Sequence, residues 1–281
     1  MKYLRSTLLV LLLAACVNSA PADKDGGFFF VQIADPQIGF STANRDLTPD
    51  IESFQKAVRH INRLKPAFVV ISGDLINTAH NPKQIRAFWR VARQIRPDIP
   101  IHLVAGNHDV ELGTEAEVRS YRRLFGEDYY SFSYRGSEFI VLDSSVIHYA
   151  ESDPDLRRAQ RSWFEAELAA ARRRNPAHIF ILTHHPWFVD KPEEDDSYFN
   201  IPQTQRRDYL ALMERYGVDF AVAGHRHEEA LGRVGKLTMI TTSALSKALG
   251  QDPLGFRVFR VYDDRVEHRY YALDQVPERI E

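Results

Sequence analysis

Five apolar runs in this chain break in the same way. Ile99 to Ala105 gives way at Gly106 to Asn107, His108 and Asp109, and Phe28 to Ala34 runs into Asp35. Phe68 to Ser72 is followed by Gly73 and Asp74, His178 to Thr183 by His184 and His185, and Asp219 to Ala223 by Gly224, His225, Arg226 and His227. Short apolar runs closed by glycine and polar residues read as buried strands with their outgoing loops. In open α/β sheets, ligands and reacting groups gather beyond the carboxyl ends of the strands. Delivery of Asp, Asn or His from five strand ends therefore constrains the chain to a sheet with a metal site on one rim.

The intervening segments supply helices. Thr48-Pro49-Asp50 starts one with proline at its first turn, and Ile51, Phe54, Ala57, Val58, Ile61 and Leu64 keep one face at helical spacing. Asn81-Pro82 opens a second helix through Ile95, and Thr114 with Glu117 forms a capping-box signature for a third to about Phe125. Tyr129 to Tyr134 and Glu138 to Asp143 then flank the turn Arg135-Gly136-Ser137 as a hairpin. Helices over roughly Asp155 to Arg174 and Thr204 to Tyr216 alternate with the later runs, and strands follow at Leu237 to Thr242, Phe256 to Tyr262 and Val266 to Leu273. Parallel and antiparallel pieces in this order predict an α+β fold of two mixed β-sheets flanked by helices.

The first 16 residues stand apart. Lys2 and Arg5, the apolar Ser6 to Leu13 and the small residues Ala14-Ala15 before Cys16 read as an export signal, too short to span a bilayer. Cys16, the only cysteine, lies where a bacterial lipoprotein box places its lipidated residue; the plain alternative is an ordinary cleaved signal. The expected organisation is a leader over 1–16, a polar tether over 17–27 and one domain over 28–281. The expected product is an exported, membrane-anchored lipoprotein, on the periplasmic or outer-membrane side of a Gram-negative host. With Cys16 acylated, thiolate catalysis and cysteine-ligated metal are excluded from the folded domain. A net charge of -2 with mixed signs gives no general attraction to nucleic acid, and a monomer is expected.

Aligned by position, the candidate ligands are Asp35, Asp74, Asn107, His184, His225 and His227. Carboxylate with imidazole suits Zn, Fe or Mn better than Ca. One carboxylate shared by two ions, with the other ligands divided between them, makes a centre that activates water and clamps both oxygens of an in-line displacement at phosphorus. Each residue alone has a plainer reading as a cap, turn former or structural histidine. Gly-Asp, Gly-Asn-His-Asp and Gly-His-x-His in this order make the joint signal specific.

These motifs resemble those of the calcineurin-like metallophosphoesterase superfamily, over about Phe28 to Leu273. The resemblance implies a four-layer α-β-β-α sandwich and two metal ions. By it, Asp74 bridges the ions, Asp35 and His227 bind one, and Asn107, His184 and His225 bind the other, with His108 assisting the leaving group as a metal-bridging hydroxide attacks phosphorus. The first motif departs from the family, reading Asp35-Pro36-Gln37 where histidine is usual third; Gln37 offers an amide oxygen, a weaker ligand. The Asp-Pro-Gln form, with Gly73-Asp-Leu-Ile, Asp128-Tyr-Tyr-Ser-Phe and His268-Arg-Tyr-Tyr-Ala-Leu-Asp274, resembles the animal calcineurin-like phosphoesterase domain-containing serine/threonine phosphatases and their bacterial relatives. Asn77 stands where the superfamily's protein phosphatases carry an Asp that supports the catalytic histidine; the side-chain amide is expected to hold His108, or else only to cap its own loop.

Residues 185–200 form a long loop, a candidate lid. His185, Trp187 and Tyr198 are expected to line the substrate mouth, with the acidic run Glu193 to Asp196 repelling polyanions or simply facing solvent. Lys247 and Arg226 are candidate phosphate contacts by position alone. The leading expectation is a phosphomonoesterase acting on a phosphorylated protein or small molecule. The alternatives are a phosphodiesterase on nucleotides or lipid head groups, and a surface binding lipoprotein without catalysis.

Overall fold

The computed structural model describes residues 26–149 and 151–280, so the leader and Cys16 lie outside the described residues. Among the described residues, eleven strands form two sheets. The first holds β1 (Phe28–Ile33), β2 (Val69–Ser72), β3 (Ile101–Val104), β10 (Gly255–Val261) and β11 (Val266–Ala272) in the order β11-β10-β1-β2-β3. The second holds β4 (Tyr130–Tyr134), β5 (Ser137–Val141), β6 (His178–Leu182), β7 (Phe220–Ala223), β8 (Ala230–Val234) and β9 (Leu237–Thr241) in the order β4-β5-β6-β7-β9-β8. Parallel pairing joins β1-β2-β3 and β5-β6-β7-β9, and the flanking strands run antiparallel.

Phenylalanine fills the space between the sheets. The Phe30 ring lies between Phe68 and Phe259 at 4.9 and 4.6 Å and meets Phe139 and Phe180 edge-on at 5.6 and 5.7 Å. These inward residues alternate with outward ones that serve a helical layer, because successive side chains of a strand point to opposite faces. On the first sheet's outer face pack α1 (Thr48–Leu64), α2 (Pro82–Ala92) and α3 (Glu115–Leu124), through Phe54, Ile61, Phe88 and Tyr121. On the second pack α5 (Pro154–Arg173) and α6 (Gln203–Arg215), through Phe164, Leu168, Tyr209 and Met213. The result is four layers, helix, sheet, sheet, helix.

The helix starts follow the sequence signals. Asn81 Oδ1 accepts the N–H groups of Lys83 and Gln84, and the Glu117 carboxylate accepts the Thr114 N–H at 2.9 Å. Two elements lacked a signal. The short helix α4 (Ser144–His148) is capped by Asp143, and edge strand β8 contains Gly232, where a Cβ would meet the Phe188 ring at 2.6 Å. That strand is specified by packing rather than by its own alternation. At the end where the parallel strands finish, a bridge between Ala34 and Ala244 ties β1's exit to the segment after β9, joining the two sheets beside the polar loops.

Candidate dimetal centre

The loops after β1, β2, β3, β6 and β7 bring the expected ligands together. His184 Nε2 lies 2.9 Å from Asn107 Oδ1, 3.0 Å from His225 Nδ1 and 3.3 Å from Asp74 Oδ1. His227 Nε2 lies 3.4 Å from Asp35 Oδ1. Two three-residue groups have ligand atoms all within 4.8 Å of one another: Asp74 with His184 and His225, and Asp35 with Asp74 and His227. Asp74 is common to both.

The outer nitrogen of each histidine is already committed. His184 Nδ1 donates to the Ser72 carbonyl at 3.0 Å, His225 Nε2 to the Tyr198 carbonyl at 2.9 Å and His227 Nδ1 to the Lys247 carbonyl at 2.6 Å. A carbonyl only accepts, so each ring, in its neutral form, turns a lone pair inward. The Asn107 amide N–H₂ donates outward to the Tyr198 hydroxyl at 3.2 Å, which leaves its oxygen inward too. The inward-facing donor atoms of Asp74, Asn107, His184 and His225 thus converge, an arrangement that a cation satisfies.

Electrostatics agree at His225 and Asp35, while Asp35 draws His227 toward its charged form. Burial, then His184, drives His225 down to about 3 and keeps it neutral. Burial opposes the Asp35 charge, but His227 and the adjacent imidazoles outweigh it and hold the carboxyl below the ordinary range. Burial likewise opposes a charged His227, and Asp35 overcomes it, raising the ring. Asp35 Oδ1 and Gln37 Oε1 are buried oxygens without a hydrogen-bond donor, so the residues present fit a pair of ions.

The backbone is shaped around these atoms. Asp35, Gln37, Asp74, His225 and His227 all have positive φ, between 30° and 69°, a strained region for residues with a Cβ that clusters at functional sites. Close approach explains two glycines: a Cβ at Gly106 would sit 2.1 Å from the Asp74 nitrogen, and one at Gly224 would sit 2.4 Å from Asp35 Oδ2. Asp109, read from sequence only as the end of its motif, turns out to clamp two loops. Its carboxylate accepts N–H groups from Leu75 at 3.0 Å, Ile76 at 3.3 Å and Gly106 at 3.0 Å, fixing the Asp74 turn against the Asn107 turn.

Half-buried His108 stands beside the centre. Its backbone N–H donates to Asp74 Oδ1 at 2.9 Å, and its Nδ1 donates to the backbone carbonyl of Asn77 at 2.7 Å. The expectation for Asn77 is corrected here: its main chain, not its amide, holds the ring. The Asn77 amide instead meets Gln37 Nε2 at 3.5 Å and Asn44 at 2.8 Å.

The 185–200 loop also differs from expectation. Trp187 is fully buried, stacked on Tyr209 at 5.0 Å in the core of the second helical layer, because its indole completes the apolar contact of α6 with the sheet. His185 is fully buried behind His184 and His225, its Nδ1 bonded to Ser144 Oγ at 2.9 Å, so neither residue lines the mouth. Tyr198 does, 54% exposed with its ring 4.8 Å from that of His225. Part of the acidic run is internal scaffolding. Glu194 accepts N–H groups from Val189, Asp190 and Lys191, Asp196 accepts that of Gln203, and buried Arg206 binds the carbonyls of Pro192, Glu194 and Ile201. The loop is a packed wall. Arg226 is held by Glu228 at 2.8 Å, and Lys247 is exposed, with its carbonyl serving His227. Phe40, edge-on to His227 at 5.0 Å, and half-exposed Tyr149 gave no sequence signal, being lone aromatics in loops.

Residues 30–229 match the calcineurin-like phosphoesterase family model. The chain belongs to this family. This phosphoesterase is 37% identical over 270 residues to serine/threonine-protein phosphatase CPPED1 of Rattus norvegicus, covering 90% of this chain and 86% of that one. It is 36% identical over 280 residues to the Homo sapiens CPPED1, covering 92% and 89%. In fold it is similar to a dimetal phosphatase from Danio rerio, with TM-score 0.66, 18% identity and coverage of 88% and 96%. The phosphoesterase is thus a hydrolase acting on phosphoric esters, with two metal ions implied by its family and phosphorylated compounds as its substrates.

Proposed function

We propose that this phosphoesterase hydrolyses phosphomonoesters, as a phosphoprotein phosphatase does, rather than diesters. The observation that carries phosphoester hydrolysis is the shared Asp74 carboxylate, with lone-pair donors arranged on both sides of it and every imidazole oriented by a backbone carbonyl, and the likeness to serine/threonine-protein phosphatases supports the monoester preference. Asp35, Gln37, Asp74 and His227 would hold one ion, and Asp74, Asn107, His184 and His225 the other, with Mn, Fe or Zn matching the mixed oxygen and nitrogen set. Bound there, the ions supply an activated water and neutralise phosphoryl charge.

The chain's own residues do the rest. His108 is aimed by the Asn77 carbonyl on Nδ1, which favours a proton there and presents Nε2 to the open side. A protonated Nε2 donates to the departing oxygen, and the carbonyl stabilises the imidazolium meanwhile. The Tyr198 hydroxyl, already on Asn107, is placed to donate to a phosphoryl oxygen. For the whole chain we propose export, anchoring through lipidated Cys16 and action as a monomer.

The test is hydrolysis of a chromogenic phosphomonoester beside its diester by wild type and His108→Ala, with metal analysis of both. We expect chelator-sensitive turnover that favours the monoester, and a loss of about 10² to 10⁴ in the variant at unchanged metal content. Faster diester turnover overturns the monoester reading. Undiminished activity in the variant overturns the role of His108.

A further inference from the structure

Large rings and aliphatic chains are left in solvent around this one mouth. Tyr198 and Leu249 are 54% and 53% exposed, and Phe40, Tyr149 and Phe199 are half-exposed. Four of them are tied to the centre. Phe40 stands edge-on to His227 at 5.0 Å and 6.5 Å from His108, and Tyr198 and Phe199 lie 4.8 and 5.8 Å from His225. Leu249 donates its N–H to the His227 carbonyl at 3.3 Å and, with Phe199, lines a cavity of ≈ 500 Å³. Exposed rings and a leucine beside a polar-walled cavity next to the centre suit a binding role.

The charged groups narrow what binds. Arg226, which also lines the cavity, is neutralised by Glu228, and the exposed carboxylates of Asp190 and Asp195 share the cavity wall. A leaving group with its own negative charge would meet those carboxylates without a free guanidinium to offset them. We propose that the mouth selects phosphomonoesters whose leaving group is an uncharged apolar chain or ring, seated between Phe40 and Tyr198 and extending toward Phe199 and Leu249. The inference rests on the phosphomonoester reading and adds the substrate's second half to it. His108, the metal-binding residues and the Tyr198 hydroxyl address the phosphoryl end, whereas the side chains of Phe40, Phe199 and Leu249 can touch only what is attached to it.

Binding of alkylphosphonates separates this from turnover, because they share one head group and are not hydrolysed. Calorimetry on the full, metal-loaded chain with ethyl-, butyl- and hexylphosphonate is expected to show Kd falling about twofold per added methylene, half-exposed walls giving less than the roughly fourfold of full burial. 2-Carboxyethylphosphonate should bind more weakly than propylphosphonate. Phe40→Ser and Leu249→Ser, each checked for an unchanged melting temperature, should flatten the series while leaving ethylphosphonate affinity within about twofold. A flat series in the wild type overturns the proposal, as does tighter binding of the carboxylate. The phosphomonoester reading fails separately, if hexyl phosphate binds but releases no phosphate.

Discussion

Replacing Trp187 by alanine is expected to unfold the protein more easily rather than to weaken substrate binding. The indole is fully buried, stacked on Tyr209 at 5.0 Å, and packs in a cluster with Phe188, Leu212 and Met213. Removing an aromatic side chain from such a core costs about 3 to 5 kcal/mol, from lost transfer energy and the cavity left behind. Against a total stability of roughly 5 to 15 kcal/mol this is a large fraction. At roughly 2 °C per kcal/mol for a domain of this size, the melting temperature should fall by about 6 to 10 °C. The indole N–H finds no partner, so Trp187→Phe keeps most of the apolar contact without stranding a donor and should cost far less. Urea unfolding of the three proteins reads both differences, and KM on a small phosphomonoester at 20 °C should stay within about twofold for the folded variants. If Trp187→Ala kept its stability within 1 kcal/mol and raised KM tenfold instead, the indole would be a mouth residue and the reasoning from burial would be wrong.

Three further outcomes follow from the same geometry. Asp74→Asn should lower metal content at both positions, whereas His227→Ala should lower it at one; metal analysis by mass spectrometry distinguishes two ions lost from one. Gly224→Ala places a methyl 2.4 Å from Asp35 Oδ2 and should cost about 1 to 3 kcal/mol by overpacking, with reduced metal retention measured by dialysis against a weak chelator. His102, stacked on Phe132 at 3.6 Å, is pushed by burial down to about 4. The unfolded chain therefore binds a proton that the folded one refuses between pH 6.5 and 4, and stability falls across that window as pH drops, by at most about 3 kcal/mol from this ring. His102→Phe should flatten that part of the pH–stability curve in urea titrations, and an unchanged slope would refute it.

Much of the site was written locally. Gly-Asp, Gly-Asn-His-Asp and Gly-His-x-His each place a ligand immediately after an apolar run, and a buried parallel strand can only present such residues at its exit. The 185–200 loop was not legible in the same way. Trp187 and Tyr198 are both aromatic and both follow the same strand, yet one closes a core and the other faces water, since a loop's side-chain directions depend on what it packs against. Asn77 shows the same limit: residue type pointed to its amide, but the turn after Asp74 presents the carbonyl. Strand β8 was silent because a glycine-centred edge strand takes its shape from the Phe188 ring above it.

The sequence by itself determined the chemistry on offer and its place at strand ends, because period, glycine and polar terminus are properties of adjacent residues. Only the tertiary structure decided that Asp74 belongs to two groups at once, that three histidines turn their inner nitrogens to it, and that Phe40 and Tyr198 stand against two of those histidines. Those relations join residues as far apart as Asp35 and His227, on two different sheets. They are set by the packing of phenylalanines between the sheets, which no local pattern records.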